Sequence, residues 1–204
     1  MNWYERAVLP WLIHWVMGSP RLRTYRERVA GAARGRVLEL GVGSGHNLRH
    51  YGPQVESVLG VDPSERLLAL ATRAPRRAGL PVELHAGTAQ QLPFPAASFD
   101  TVVMTWTLCS LPDAPAALAE LRRVLRPQGR LLFVEHGLAP EPGVRAWQRR
   151  LTPLWRPLAG GCHLDRPIDA LVRQAGFRLE QLDCGYAPGP RFVAYMYEGS
   201  AQPG

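Results

Sequence analysis

Three observations predict an α/β fold: a seven-stranded, mostly parallel sheet with an antiparallel last strand, helices on both faces and a helical lid at the N-terminus. Strand-like and helix-like segments alternate from residue 36 onward. Several strand-like segments are apolar without interruption, as a sheet covered on both faces requires. The last two strand-like segments are separated only by the loop 183–190. That is too little chain for a crossover, so the pair must run antiparallel.

In chain order, residues 2–18 read as an amphipathic helix kinked near Pro10, where the ring removes a backbone donor. Residues 20–33 read as a second helix with an arginine-rich face, opened by Ser19 at the N-cap and Pro20 in the first turn. Together these form the lid, residues 1–34, with Tyr4 and Trp11 expected to line an acceptor pocket. The domain proper covers 35–198, with strands at 36–40, 57–61, 82–86, 101–105, 130–135, 177–182 and 191–198. Its helices are expected at 45–51, 64–74, 115–125, 144–159 and 167–175. The tail 199–204 is expected to fray.

Composition narrows the chemistry. All 24 basic residues are arginine, which excludes a Schiff-base lysine and a lysine-dependent phosphate loop. The net charge of +7 admits an anionic partner, yet the arginines fall in small groups without the interleaved aromatics that stack bases, so nucleic acid is not expected. Cys109, Cys162 and Cys184 lie far apart with no metal-ligand spacing, so no metal is expected and a reduced, cytoplasmic setting is. No secretory signal is read, and the apolar run 8–17, which holds Pro10 and His14, is too short to span a bilayer. Residues 2–28 instead suit peripheral contact with a membrane surface, apolar side chains being followed by arginines.

The most informative stretch is Val37-Leu38-Glu39-Leu40-Gly41-Val42-Gly43-Ser44-Gly45, followed by a second strand that ends at Asp62. Such a strand–glycine loop–helix–strand unit holds a nucleoside-bearing cofactor: glycines admit close backbone approach, and the acid accepts from ribose hydroxyls. Asp62 lies twenty-one positions after Gly41, near the expected spacing. A dinucleotide loop reads G-x-G-x-x-G, but here His46 stands in place of its third glycine.

The pattern Glu39-x-Gly41-x-Gly43-x-Gly45 resembles the first motif of class I S-adenosylmethionine-dependent methyltransferases. Gly60-Val61-Asp62-Pro63-Ser64 matches that family's acidic second motif, and Ala86-Gly87-Thr88-Ala89-Gln90-Gln91-Leu92-Pro93-Phe94 looks like the segment bordering the adenine. Thr88 replaces the usual Asp there, which leaves the backbone N–H of Ala89 as the firmer contact. Val124-Leu125-Arg126-Pro127-Gln128-Gly129 before an apolar strand is typical of the small-molecule and lipid branch. The resemblance implies a Rossmann-like fold and S-adenosylmethionine as cofactor, with S-adenosylhomocysteine as product. It implies cofactor contacts from Glu39, Gly41, Gly43, Gly45, Asp62, Pro63, Thr88, Ala89, Thr105 and Trp106.

A narrower resemblance, to the methyltransferase-like 7 family of animal alkyl thiol methyltransferases, rests on Leu108-Cys109-Ser110, Glu135-His136 and Gly161-Cys162-His163-Leu164-Asp165-Arg166. It implies a small-molecule acceptor, a thiol or sulfide first; resemblance to bacterial chains of this shape gives N- or C-methylation of a membrane phospholipid or quinone as the alternative, with RNA methylation or non-enzymatic cofactor binding ranked below. His136, His163 and Arg166 are the catalytic candidates. Each has a plainer reading. His136 can satisfy a loop carbonyl, Asp165 can cap the helix that follows it, Cys109 can be a buried small residue, and Trp106 can either stack near the sulfonium or pack in the core.

Overall fold

The computed structural model describes residues 3–204, so Asn2, with which the first helix was expected to start, and Met1 lie outside the described residues. Seven strands form one sheet in the order β3-β2-β1-β4-β5-β7-β6. They are β1 (Gly35–Leu40), β2 (Val55–Asp62), β3 (Val82–Ala86), β4 (Phe99–Thr105), β5 (Leu125–His136), β6 (Phe177–Tyr186) and β7 (Tyr195–Pro203). β3, β2, β1, β4 and β5 pair in parallel, whereas β7 runs antiparallel to both β5 and β6. The expected sheet, with its antiparallel last strand, is therefore the one observed.

Period-two alternation sorts the apolar strands between two cores. Leu38, Val102, Met104, Leu131 and Phe133 face one side, where they meet α5 (Ala114–Val124) and α7 (Ile168–Gln174). Val37, Val58, Val103, Leu132 and Val134 face the other, under α3 (Arg23–Gly31). A strand that feeds both cores has no face left for polar residues, which is why these runs are continuously apolar.

Three expectations are corrected. Residues 46–50 form successive turns rather than a helix, closed by Leu48 N–H to Gly45 O (3.1 Å) and His50 N–H to Asn47 O (2.8 Å). Gly45, His46, Asn47 and His50 are weak helix formers, and so short a run does not repay helix nucleation. The tail does not fray: 199–203 is the second half of β7, with Ala201 beside Leu131 and Pro203 beside Phe177. Being flanked by β5 and β6 gives its backbone partners on both sides. Residues 191–194 form a short helix, α8 (Arg191–Ala194), so β7 starts later than expected.

The N-terminal segment is two helices, α1 (Trp3–Ala7) and α2 (Leu9–Met17), then a 3₁₀ turn at Pro20–Leu22 that leads into α3. The break falls at Val8, so Pro10 sits in the first turn of α2, where a missing N–H costs nothing. α4 (Glu65–Ala71) follows β2, capped by Ser64 Oγ accepting from Leu67 N–H (3.3 Å). α6 (Pro142–Leu158) lies between β5 and α7.

Candidate active site

The carboxyl ends of β3, β2, β1 and β4 bring together every residue expected to hold the cofactor. Gly41, Gly43 and Gly45 adopt φ of 69°, 54° and 80°, a region that side chains disfavour. A Cβ on Gly41 would stand 2.2 Å from Thr107 Oγ1, and one on Gly45 would stand 2.8 Å from the Ala74 Cβ. At Gly43 the nearest atom would be 3.9 Å away, which is the open approach a ligand needs. Asp62 is buried, and its carboxylate accepts from Gly43 N–H (3.0 Å) and Ser64 N–H (2.8 Å). A carboxylate has about four lone-pair sites, so two stay available for ribose hydroxyls. Burial raises the Asp62 pKa, against those two hydrogen bonds. The register sets Asp62 beside Ala86, so exposed Pro63 and Thr88 and buried Ala89 flank the same end of the sheet.

Three residues expected to touch the cofactor are otherwise engaged. Both Glu39 oxygens are taken inside the protein, one by Asn47 Nδ2 (2.8 Å) and one by the Tyr51 hydroxyl (2.7 Å). Thr105 Oγ1 meets Asn47 Nδ2 (3.1 Å) and Arg26 Nη1 (3.3 Å), and Arg26 Nη1 also donates to Asn47 Oδ1 (2.8 Å). The cation over the Trp106 ring is the Arg26 guanidinium, 4.8 Å from its centroid, with Tyr25 edge-on at 6.2 Å. Glu39 and Thr105 thus brace the glycine loop from below, and Trp106 packs under α3. Burial pushes the Glu39 carboxyl up to about 7 and the Arg26 guanidinium down to about 10. Arg26, Asn47 and Tyr51 were missed by sequence reasoning, because nothing in their local pattern marks a shared buried network.

α2 lies on this loop. His14 Nδ1 is 2.7 Å from Ser44 Oγ, the His14 and His46 rings stack at 5.0 Å, and His46 Nε2–H donates to His14 O (3.0 Å). Burial lowers the His46 pKa to about 4, which suits a neutral ring in that stack. Arg26 Nη2 donates to Met17 O (3.0 Å), so one guanidinium ties the N-terminal helices, the loop and β4 together. Tyr4 donates to Leu158 O (2.8 Å) at the end of α6. Trp11, expected inside an acceptor pocket, is half exposed with Arg66 over its ring. Two surface hollows, of 380 and 550 Å³, lie elsewhere: at the start of β5 beside α5, and between α3 and the β6–β7 pair.

The second cluster gathers at the ends of β4 and β5. Glu135 is fully buried and accepts from the N–H groups of Thr107 (2.7 Å), Leu108 (2.9 Å) and Cys109 (3.2 Å), fixing the 3₁₀ turn Leu108–Ser110. Arg166 holds that turn from the other side by donating to Leu108 O and Leu111 O, and His163 N–H donates to Cys109 O (2.8 Å). Arg166 is therefore committed to backbone carbonyls, while the half-exposed His163 ring stays on the rim. Asp165 does not cap α7: the cap residue is Pro167, and Asp165 Oδ1 accepts from the Thr152 hydroxyl (3.3 Å). The helix begins only at Ile168, which leaves Asp165 two residues short of the cap position.

His136 Nε2 lies 2.7 Å from Cys162 Sγ, which lies 3.8 Å from Cys109 Sγ. The ligand atoms of all three residues fall within 4.8 Å of one another. The expectation that these cysteines hold no metal-type arrangement is thereby corrected: the fold assembles what the spacing does not. Burial is the largest influence on His136 and opposes its charge, but the hydrogen bond with Cys162 together with the negative charge of Cys162 and Glu135 outweighs it, so the pKa is raised. The Cys162 thiol is lowered by its contacts with Cys109 and His136, and the Cys109 thiol is raised by its contact with Cys162 and by burial. A usable sequence signal did exist, since His136 ends the parallel strand β5 and Cys109 lies in the turn that follows β4, and such ends converge.

Comparison with known proteins places these features. A methyltransferase domain family matches residues 38–133. The chain is 36% identical to the thiol S-methyltransferase TMT1B of Rattus norvegicus over 152 residues, which is 72% of this chain and 62% of that protein. It is 34% identical to the phosphatidylethanolamine N-methyltransferase of Cereibacter sphaeroides over 186 residues, 90% of this chain and 88% of that one. It thus spans less than two thirds of the rat protein and nearly all of the bacterial one. Among solved structures, a SAM-dependent methyltransferase from Aquifex aeolicus superposes with a TM-score of 0.66 at 21% identity, covering 96% of this chain and 98% of that one, a likeness of fold. Among the described residues no helix is long and apolar enough to cross a membrane. With a glycine loop open at Gly43, and 34% identity to the bacterial relative over 88% of that protein, this chain belongs to the class I S-adenosylmethionine-dependent methyltransferase family.

Proposed function

We propose that this protein transfers the methyl group of S-adenosylmethionine to a small thiol or sulfide. The observation that carries this reading is the make-up of the acceptor end. The carboxylate of Glu135 is spent on three backbone N–H groups, and the remaining groups around it are two thiols and an imidazole. An ammonium acceptor has a pKa of about 10 and needs a strong base, whereas a thiol at about 8.5 ionises readily. The bound cofactor supplies an electrophilic sulfonium methyl. When a thiolate takes that methyl, opposite charges cancel, so a dry site with few free polar groups favours the step. The likeness to a thiol S-methyltransferase supports the same acceptor.

The test is a methyl-acceptor screen with S-adenosylmethionine against alkyl thiols, sulfide, phenols and ethanolamine lipids. Methyl thioether formation is expected. Methylation of the ethanolamine lipid with no thioether product would overturn the thiol assignment.

A second reading, methylation of a membrane phospholipid, has its own observation. Trp3 and Trp15 are 75% and 79% exposed on α1 and α2, and Trp147, Leu154 and Leu158 stand out from α6 among Arg149, Arg150 and Arg156. The Tyr4–Leu158 hydrogen bond brings the two helical regions together. Exposed tryptophans beside arginines suit contact with an anionic bilayer, and the phospholipid methyltransferase is a relative across its length. Sedimentation with phosphatidylglycerol vesicles tests it: binding lost on Trp3→Ala with Trp15→Ala supports the reading, and an unbound wild-type chain ends it.

A further inference from the structure

We infer that Cys109, His136 and Cys162 form a binding site for a thiophilic metal ion, zinc in the first instance, with one coordination position left for an outside ligand. Two thiols and one imidazole are a zinc donor set, and three protein ligands leave the fourth tetrahedral position to water or substrate. The sulfurs are already 3.8 Å apart. Two zinc–sulfur bonds of about 2.3 Å at the tetrahedral angle put them at roughly that separation. The imidazole is the part that must adjust. Its Nε2 stands 2.7 Å from Cys162 Sγ, and zinc bonded to both would hold them about 3.5 Å apart. The ring is free to give way, because its Nδ1 is buried without a hydrogen-bond partner.

The frame around the donors is stiff. The Cys109 turn is held by Glu135 from one side and by Arg166 and His163 from the other. His136 is the last residue of β5, paired with Met196. Cys162 follows Gly160 and Gly161, whose φ of 61° and 85° turn the chain back from α6 toward Cys109. All three donors are nine-tenths buried or more. Zinc with two thiolates and a neutral imidazole carries no net charge, so it can occupy so dry a place without an unpaired ion. If the acceptor is the thiol proposed above, it would take the open position, bind as thiolate and release its proton to solvent. That clause rests on the thiol reading; the metal site does not.

Cobalt(II) titration of the reduced, metal-stripped chain tests the site, because cobalt reports thiolate ligation by a charge-transfer band and zinc displaces it. One cobalt per chain is expected, with the band about halved in Cys109→Ser and in Cys162→Ser, and zinc affinity lowered about 100-fold in each. Cys184→Ser, at an exposed cysteine on β6, should change nothing. Should the serine variants fail to fold, the wild-type chain still decides: in mild denaturant that exposes these buried thiols, zinc must slow the alkylation of Cys109 and Cys162, and not of Cys184, mapped by mass spectrometry. Adding an alkane thiol to the cobalt-loaded protein should strengthen the band. No thiolate band in the wild type, or no protection by zinc, overturns the site. A band that the added thiol leaves unchanged overturns the open position. Neither readout depends on methyl transfer, so failure here and failure of the thiol assignment are distinguishable.

Discussion

The glycine loop with Asp62 and the Cys109–His136–Cys162 cluster sit at the same edge of the same sheet, yet they are built in opposite ways. The first is a single run of chain, Glu39 to Asp62, whose shape follows from local backbone demands: glycines at positive φ and an acid closing the next strand. The second draws one residue from each of three distant segments and exists only because β4 and β5 end side by side. Chemistry divides the same way. The loop offers hydrogen bonds to a large polar cofactor, while the cluster offers soft donors from which Glu135 has been withdrawn. A site that must recognise an invariant ligand can be written as a motif. A site assembled from separate segments can change one segment at a time.

The sharpest way to break this comparison is Glu135→Gln. Three hydrogen bonds to a charged acceptor weaken, and the new amide group must face at least one N–H, so stability should fall by about 3–5 kcal/mol in denaturant titration. If the two regions are separate, cofactor affinity of the folded fraction stays within a few-fold while acceptor turnover is lost. A large loss of cofactor affinity would show them to be one unit.

Next comes a pH effect centred on Glu39. Glu39 has its pKa raised by burial from 4.5 to about 7. The folded state therefore holds a proton that the unfolded state has released, and stability falls as pH rises through that interval. The loss should be about 3 kcal/mol, complete somewhat above pH 7. Asp62, also raised by burial, adds in the same direction. His46, lowered by burial to about 4, works in the opposite direction in both proteins, so the comparison isolates Glu39: between pH 5.5 and 7.5 the wild type should lose stability relative to Glu39→Gln in thermal melts.

A smaller effect is expected of Asp62→Ala. Losing a charged hydrogen bond to ribose should weaken S-adenosylmethionine binding by about 1.5–3 kcal/mol in calorimetry. Unchanged affinity would remove Asp62 from the cofactor site. Smallest is His14→Ala, which deletes the contact to Ser44 and the stack on His46. Stability should drop by about 1 kcal/mol, and limited proteolysis near Gly18 should accelerate if α2 is the lid over the loop. An unchanged cleavage rate would mean that other contacts hold the lid.

How much was legible in advance follows the same division. Strand positions, the antiparallel final pair and the cofactor loop were readable because period-two burial, loop length and glycine chemistry act over a few residues. The helix expected after Gly45 failed because weak formers in a short run lose to side-chain bonds made elsewhere, Asn47 above all. The tail was misread because Gly199 to Pro203 has no strand character of its own and is ordered by its neighbours β5 and β6. Glu39, Thr105 and Trp106 were placed at the right end of the sheet, but the chain alone could not show that Arg26, from the lid, would occupy the space around them.

The sequence thus determined the fold class through its local patterns and, through its family resemblance, the cofactor. Only the tertiary structure decided which carboxylates remain free, that α2 packs on the glycine loop and that three distant residues share one donor cluster. Those outcomes depend on contacts between segments many tens of residues apart, which the sheet order brings together and no local pattern encodes.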